Sequence, residues 1–137
     1  MSIRLNSMVR KLTFVLMASA CLLCGCKKEP AMLMVSTNEV DFGTFRLMDG
    51  MTKHVDIECE NTGDKTLRFK PVFTDCNCTT VTLPADSLEG GEKMTIGIDV
   101  NYIGFRPGAH HSTVKLFTNS KGGPEEIVLK SKIIPNQ

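Results

Sequence analysis

The 137-residue chain has no tryptophan and a single tyrosine, Tyr102, and aromatic residues make up 6% of it. A surface that stacks bases on aromatic rings between cationic side chains cannot be built from this composition. Excess charge is lacking too, since 16 Lys and Arg stand against 15 Asp and Glu for a formal net charge of +1. With both signs dispersed, nothing electrostatic favours nucleic acid as a partner. Also missing are a nucleophile-elbow pattern, a phosphate-cradling glycine loop and a His-Glu-x-x-His helix. The expectation is a protein that is not an enzyme and carries no cofactor. No window of about eleven residues after Met32 holds a 3.6-residue period, and no repeat of about 20 to 50 residues occurs, which argues against bundles, solenoids and propellers.

Acidic residues are absent before Glu29, and that absence is informative. Arg4, Arg10 and Lys11 precede an apolar run from Leu12 to Gly25, which ends in Leu23-Cys24-Gly25-Cys26. A basic start, an apolar stretch and small residues before a break are the parts of a secretory signal. The run is shorter than the roughly 20 residues of a membrane-spanning helix. Leu23 and Gly25 before Cys26 resemble a bacterial lipoprotein signal, with Cys26 as the lipidation site. Processing at Ala18-Ser19-Ala20 before Cys21, an uncleaved anchor and plain secretion are the competing readings.

The expected division is therefore a signal peptide over residues 1–25, an acylated Cys26 with a short tether over 26–31, and one domain over 32–137. Removing residues 1–25 leaves 112 residues, the size of one domain. Several acyl chains hold far more firmly than one, so the protein is expected to stay on its membrane in the cell envelope, facing periplasm or cell exterior. Five extended tether residues, Lys27 to Ala31, reach at most about 17 Å, which keeps the domain against the headgroups.

From Met32 onward, short β-type runs alternate with turn signals. Strands are predicted at Met32–Ser36, Val40–Phe45, Met51–Glu60, Thr66–Phe73, Thr79–Leu83, Glu92–Tyr102, Ser112–Thr118 and Glu126–Ile134. Val55, Ile57 and Cys59 alternate with His54, Asp56, Glu58 and Glu60, and Met94, Ile96, Ile98 and Val100 with Thr95, Gly97, Asp99 and Asn101. This period of two puts one face in a core and the other in water. Leu67, Phe69, Val114 and Leu116 complete the expected core. Asn61-Thr62-Gly63-Asp64, Glu89-Gly90-Gly91-Glu92, Pro107-Gly108 and Gly122-Gly123-Pro124 supply the reversals. Seven to eight strands in roughly 100 residues predict an all-β, immunoglobulin-like sandwich of antiparallel strands.

Four motifs then carry a likeness: Val40-Asp41-Phe42-Gly43-Thr44, Glu60-Asn61-Thr62-Gly63-Asp64, Asp75-Cys76-Asn77-Cys78-Thr79-Thr80 and Gly91-Glu92-Lys93. In order and spacing the chain resembles the bacterial envelope family catalogued as domain of unknown function 1573, over roughly Val35 to Asn119. Asn77 stands where that family has Gly between its cysteines, and Gly90 where it often has Pro. The resemblance implies an immunoglobulin-like fold, related in style to ciliary modules and pilus chaperones and common in lipoproteins of Bacteroides-like bacteria. It implies a binding or architectural role and no known reaction.

Cys76-Asn77-Cys78 is the sharpest candidate for chemistry. Two thiols two residues apart can close a small disulfide or offer soft ligands to Cu(I) or Zn(II). Extended residues at that spacing lie about 6.5 to 7 Å apart, so an internal bridge requires a turn. Alternatively one of the pair joins inward-facing Cys59 in an inter-sheet disulfide. A strict zinc site wants four ligands, and a matching second pair is absent.

His110 and His111, as strand neighbours, point to opposite faces and cannot jointly chelate, so a solvated strand start is expected. His54 is expected to be exposed, and Asp56, Glu58 and Glu60 to form a solvated acidic stripe. Met32, Met34, Met48 and Met51 are expected to gather near the amino-terminal edge as gap fillers or partner contacts. The leading expectation is thus a lipid-anchored, non-catalytic module. Its sheet edge or loops would meet another envelope protein or a wall component. A thiol-redox or Cu(I)-handling protein is the alternative.

Overall fold

The computed structural model describes residues 25–48 and 51–136, all of whose regular elements are strands. The basic and apolar segment before Gly25, including Leu23, lies outside the described residues. The ten strands are β1 (Leu33–Val35), β2 (Glu39–Arg46), β3 (Thr52–Asn61), β4 (Leu67–Arg68), β5 (Phe73–Thr74), β6 (Thr79–Thr82), β7 (Ser87–Leu88), β8 (Lys93–Asn101), β9 (Gly108–Leu116) and β10 (Glu125–Ile134). One sheet has the order β1-β3-β8-β6, the facing sheet β2-β10-β9-β5, and β4 with β7 forms a small ribbon. This is the immunoglobulin-like sandwich the alternation predicts.

Each sheet buries the residues its period of two selects. Ile57, Cys59, Ile96, Ile98 and Val100 from the first sheet meet Val114, Leu116, Ile127, Leu129 and Ile133 from the second, all nearly inaccessible to solvent. Val55, Phe69 and Met94 pack on the margin of this core. Burial of a Val, Leu or Ile side chain contributes about 1.5 to 3 kcal/mol.

Three details depart from the sequence-based expectation. First, every pairing is antiparallel except β2 with β10, which is parallel. The chain leaves the first sheet after β1, crosses at Ser36–Asn38, and lies beside the last strand of the other sheet, where Val128 N–H donates to the Asn38 carbonyl at 2.9 Å. Second, the run expected over Thr66–Phe73 is two strands in different layers. β4 pairs with β7 and β5 with β9, and the break falls at Lys70-Pro71, where proline offers no N–H to a ladder. Third, β9 begins at Gly108 rather than Ser112, so both histidines lie inside a strand.

Gly43 explains the spacing of the two β2 phenylalanines. Asp41 and Thr44 face Lys130 and Lys132, so β2 carries one extra residue there, and Gly43 takes a φ of +77°. A bulge of this kind shifts the side-chain phase. Phe42 and Phe45, three apart, therefore both pack on the core.

The sandwich has two poles. Glu60 pairs with Lys93 and Thr52 with Asn101, so the two ends of β8 lie about 27 Å apart at roughly 3.4 Å per residue. The first pole holds the start of β1 and the turns after β3 and β7. The second holds Arg46–Met48, the Cys76–Cys78 segment, the turn at Tyr102–Phe105 and the start of β9. Met32 and Met34 sit at the first pole and Met48 and Met51 at the second, because β2 runs the length of the sandwich between them. The expected methionine cluster therefore does not form.

Candidate functional site

At the first pole the side chain of Asn61 is fully buried and uses both its donor and its acceptor groups. Its Nδ2 donates to the carbonyls of Lys65 at 2.9 Å and Leu88 at 3.0 Å. Its Oδ1 accepts from Gly63 N–H at 3.1 Å and Met32 N–H at 3.3 Å. The Asn-Thr-Gly-Asp segment is thus more than a turn, since its asparagine ties the turn to the β7 end and to the incoming chain.

That incoming chain is held before β1 begins. The Glu29 carbonyl accepts from the N–H groups of Asp64 at 3.2 Å and Lys65 at 3.3 Å, and Glu29 N–H donates to Asp64 Oδ2 at 2.8 Å. Pro30 lies directly on Gly63, where a Cβ would overlap its carbonyl oxygen, and Ala31 is buried. The tether expected over Lys27–Ala31 is accordingly shorter, because residues 29–31 belong to the domain.

On the wet face of the first sheet, His54 bridges two carboxylates. Nδ1 lies 2.7 Å from Asp99 Oδ1 and Nε2 3.0 Å from Asp56 Oδ1, above Gly97, which leaves room for the ring. Hydrogen bonding to Asp99 and then to Asp56 raises the imidazole pKa above its ordinary 6.5. Glu58 and Glu60 meet Lys93 at 3.0 and 3.5 Å, so the acidic stripe is laced with cations. Exposed pairs of this kind contribute little to stability, because solvent screens them.

The second pole holds the disulfide. Cys76 and Cys78 are joined by a disulfide with their Cα atoms 5.1 Å apart, well under the extended spacing. A turn provides the approach, as Thr79 N–H donates to the Cys76 carbonyl at 3.1 Å. Asn77 closes that turn without a positive φ, so glycine is not required between the cysteines. Cys78 is then locked to the sheet through Asn101 N–H, which donates to its carbonyl at 2.8 Å.

Cys59 stands apart from this pair as a free, fully buried thiol. It faces Met94 on β8, whereas Thr79, next to Cys78, faces Val100. Six residues of strand separate those levels, about 20 Å at roughly 3.3 Å per residue, and no inter-sheet bridge can span that. Burial, with a smaller push from the Glu58 carboxylate, drives the Cys59 thiol pKa up to about 11.

The disulfide lines a cleft of about 30 Å³ with Tyr102, Phe105, His110, His111 and Ser112 among its walls. This volume is about that of a water site and well below the roughly 300 Å³ or more of an organic-substrate pocket. Each sulfur has a polar neighbour. Cys78 N–H donates to Cys76 Sγ at 3.2 Å, and Cys78 Sγ lies 3.6 Å from Thr79 Oγ1, itself 3.5 Å from Ser112 Oγ. Phe45, Tyr102, Phe105 and His110 form an edge-to-face series at centroid distances of 5.1, 5.1 and 4.9 Å.

His110 is half-buried, with Nε2 2.7 Å from the Arg106 carbonyl, and so is not the solvated residue expected; His111 is exposed. Burial raises the Tyr102 hydroxyl pKa, partly offset by a hydrogen bond with Ser131. Among the described residues no three His, Cys, Asp or Glu side chains are placed to hold a metal ion. Thr79, Ser112 and the aromatic series escape a reading by motif. Thr79 was visible only as the residue following the Cys-x-Cys pair, and the others come from distant strands.

A family model described as "Protein of unknown function (DUF1573)" matches residues 33–133. Among curated proteins none matches the sequence. Among solved structures, the chain is similar to a protein of unknown function from Porphyromonas gingivalis W83 (TM-score 0.66, 19% identity, 77% of this chain and 48% of that one). It is similar also to the periplasmic chaperone SfaE (0.59, 16%, 74% and 58%). A third likeness is to the ASH/PapD-like domain 7 of human CEP192 (0.59, 12%, 79% and 89%). The chain thus spans about half the length of the first of these structures. At such identities the likeness is one of fold.

Proposed function

The chain belongs to the DUF1573 family, whose model covers most of it, and on that premise we propose a non-catalytic immunoglobulin-like module held at a bacterial envelope membrane by lipidated Cys26. The observation that carries this reading is the polarity of the domain. Glu29 is fixed at the first pole, and only Lys27 and Lys28, roughly 10 Å of extended chain, separate it from Cys26. That pole then faces the lipid, and the other stands some 27 Å further out.

The outer pole is where the module meets its partner, another envelope protein or a wall component. Met48 and Ile103 project there, 67% and 65% exposed, from loops backed by the aromatic series. Exposed apolar tips on a rigid base are what a protein contact requires. The sheet edges are less suited. β1, β5 and β6 are two to four residues long, and β2 is kinked at Gly43, whose N–H is taken by Asp41 Oδ1 at 2.7 Å.

Two measurements test the reading in the native host. The wild-type chain should incorporate labelled palmitate and sediment with membranes, and Cys26→Ser should do neither. A photo-crosslinking residue at position 103 should capture a discrete envelope species that the same residue at Thr95, on the wet sheet face, does not. Palmitate on Cys21 instead, or equal capture from both positions, would overturn it.

A further inference from the structure

The disulfide at the outer pole is a purely local crosslink. It closes a loop of three residues within the β5–β6 crossover between the two sheets, a segment already tied to β9 through Asp75 and to β8 through the Cys78 carbonyl, so it restricts the unfolded chain less than a long-range crosslink would. The sandwich is already held by its two-sided core. A crosslink this local, half-buried in the wall of a small cleft, is open to another use.

The geometry points to Cys76–Cys78 as a thiol–disulfide exchange site, with Cys76 as the electrophilic sulfur and Cys78 as the leaving and resolving thiol. The two sulfurs are not equivalent. Cys78 packs against the core and is tied to β8, whereas Cys76 lies between exposed Asp75 and Asn77 on the loop side. Both cysteines are half-buried, and Cys76 is the one not packed on the core, so the incoming thiolate is assigned to Cys76 Sγ. The new bond forms there, the Cys76–Cys78 bond breaks, and its electron pair stays on Cys78 Sγ. Thr79 Oγ1 is placed to donate to that thiolate while accepting from Ser112 Oγ, a relay of two nearly buried hydroxyls. Hydrogen bonding to the charged form favours it.

A second thiol then attacks the mixed disulfide on the donor's sulfur and releases Cys76. Two donor thiols become one disulfide, the protein disulfide becomes two thiols, and two protons pass from the donors to Cys76 and Cys78. The donor class is a pair of thiols, such as two cysteines of a protein. The event is stoichiometric, one exchange per disulfide, and so is compatible with a module that catalyses nothing. It does not depend on lipidation of Cys26.

The test uses the full chain, purified oxidised, and reduced glutathione as probe. Graded ratios of reduced to oxidised glutathione are applied under native conditions, followed by alkylation and mass measurement. The expected result is alkylation of Cys76 and Cys78 with unchanged circular dichroism and an unlabelled Cys59. Cys78→Ser should take one glutathionyl group onto Cys76 from oxidised glutathione, releasing one reduced glutathione, and Cys76→Ser should do the same on Cys78 at least tenfold more slowly. Thr79→Val, which keeps the shape and removes the hydroxyl, should slow opening about tenfold through loss of one charge-assisted hydrogen bond. Reduction only under conditions that also expose Cys59 would overturn the proposal, as would equal trapping by the two single variants.

Discussion

Replacing Asn61 by alanine removes four hydrogen bonds from a side chain with no exposed surface. Two of the four, to the Leu88 carbonyl and from Gly63 N–H, lie in buried surroundings, and losing each leaves a desolvated group unpaired at about 1 to 3 kcal/mol. The other two, to the Lys65 carbonyl and from Met32 N–H, are part-buried and are partly replaced by water, at about 0.5 to 1 kcal/mol each. The sum is about 3 to 8 kcal/mol, a large share of the roughly 5 to 15 kcal/mol that hold a domain together. Urea denaturation followed by circular dichroism measures it as a fall in midpoint at constant slope.

Asn61→Asp distinguishes the hydrogen-bond argument from simple loss of volume. The carboxylate keeps the shape and the acceptors but turns charge toward two carbonyls it can no longer donate to. That variant should be as unstable as alanine at neutral pH and recover partly in acid, where the protonated carboxyl donates once. A loss below about 1 kcal/mol in Asn61→Ala would refute the reasoning, because the pole would then be repairing itself with water.

Other outcomes follow from the same geometry. The double variant Cys76→Ser/Cys78→Ser should lose only about 1.6 kcal/mol, the chain-entropy value for a three-residue loop at 25 °C, by denaturation under oxidising conditions; a loss above about 3 kcal/mol would make the bridge a structural staple. His54, whose folded pKa lies above its unfolded 6.5, contributes stability that is complete below about pH 6.5 and disappears as pH rises through the folded value. An NMR titration of its ring protons should place the midpoint above 6.5, and Asp99→Asn should lower it more than Asp56→Asn. Cys59, with its thiol at about pKa 11, should resist iodoacetamide in the native protein and react once urea unfolds it. Native labelling at the rate of a free thiol would show that β3 opens locally.

The Cys-x-Cys pair shows why proximity in sequence and geometry must be argued together. An extended backbone holds such residues too far apart to bridge, and the Cys76–Thr79 turn shortens the span to 5.1 Å. Because the bridge is local, the third cysteine of the domain has a different fate. Inward-facing Cys59 reads from the sequence as a disulfide candidate, yet burial among Ile57 and Ile96 makes it an inert packing group.

The strand faces, the core residues and most of the turns were determined by the sequence alone, because a period of two and a glycine-containing reversal are local properties of the chain. Ile57, Ile96, Ile98, Val114 and Leu116 could be placed in the core without knowing which strands pair. Tertiary structure alone decided the parallel seating of β2 against β10 and the division of Thr66–Phe73 between two layers. It alone seated Glu29 and Pro30 on Gly63 and gathered Tyr102, His110, Ser112 and Thr79 around the disulfide. Those features depend on contacts between residues tens of positions apart, where many pairings satisfy the same alternation. Close packing of the two sheets selects the one that buries every inward side chain at once.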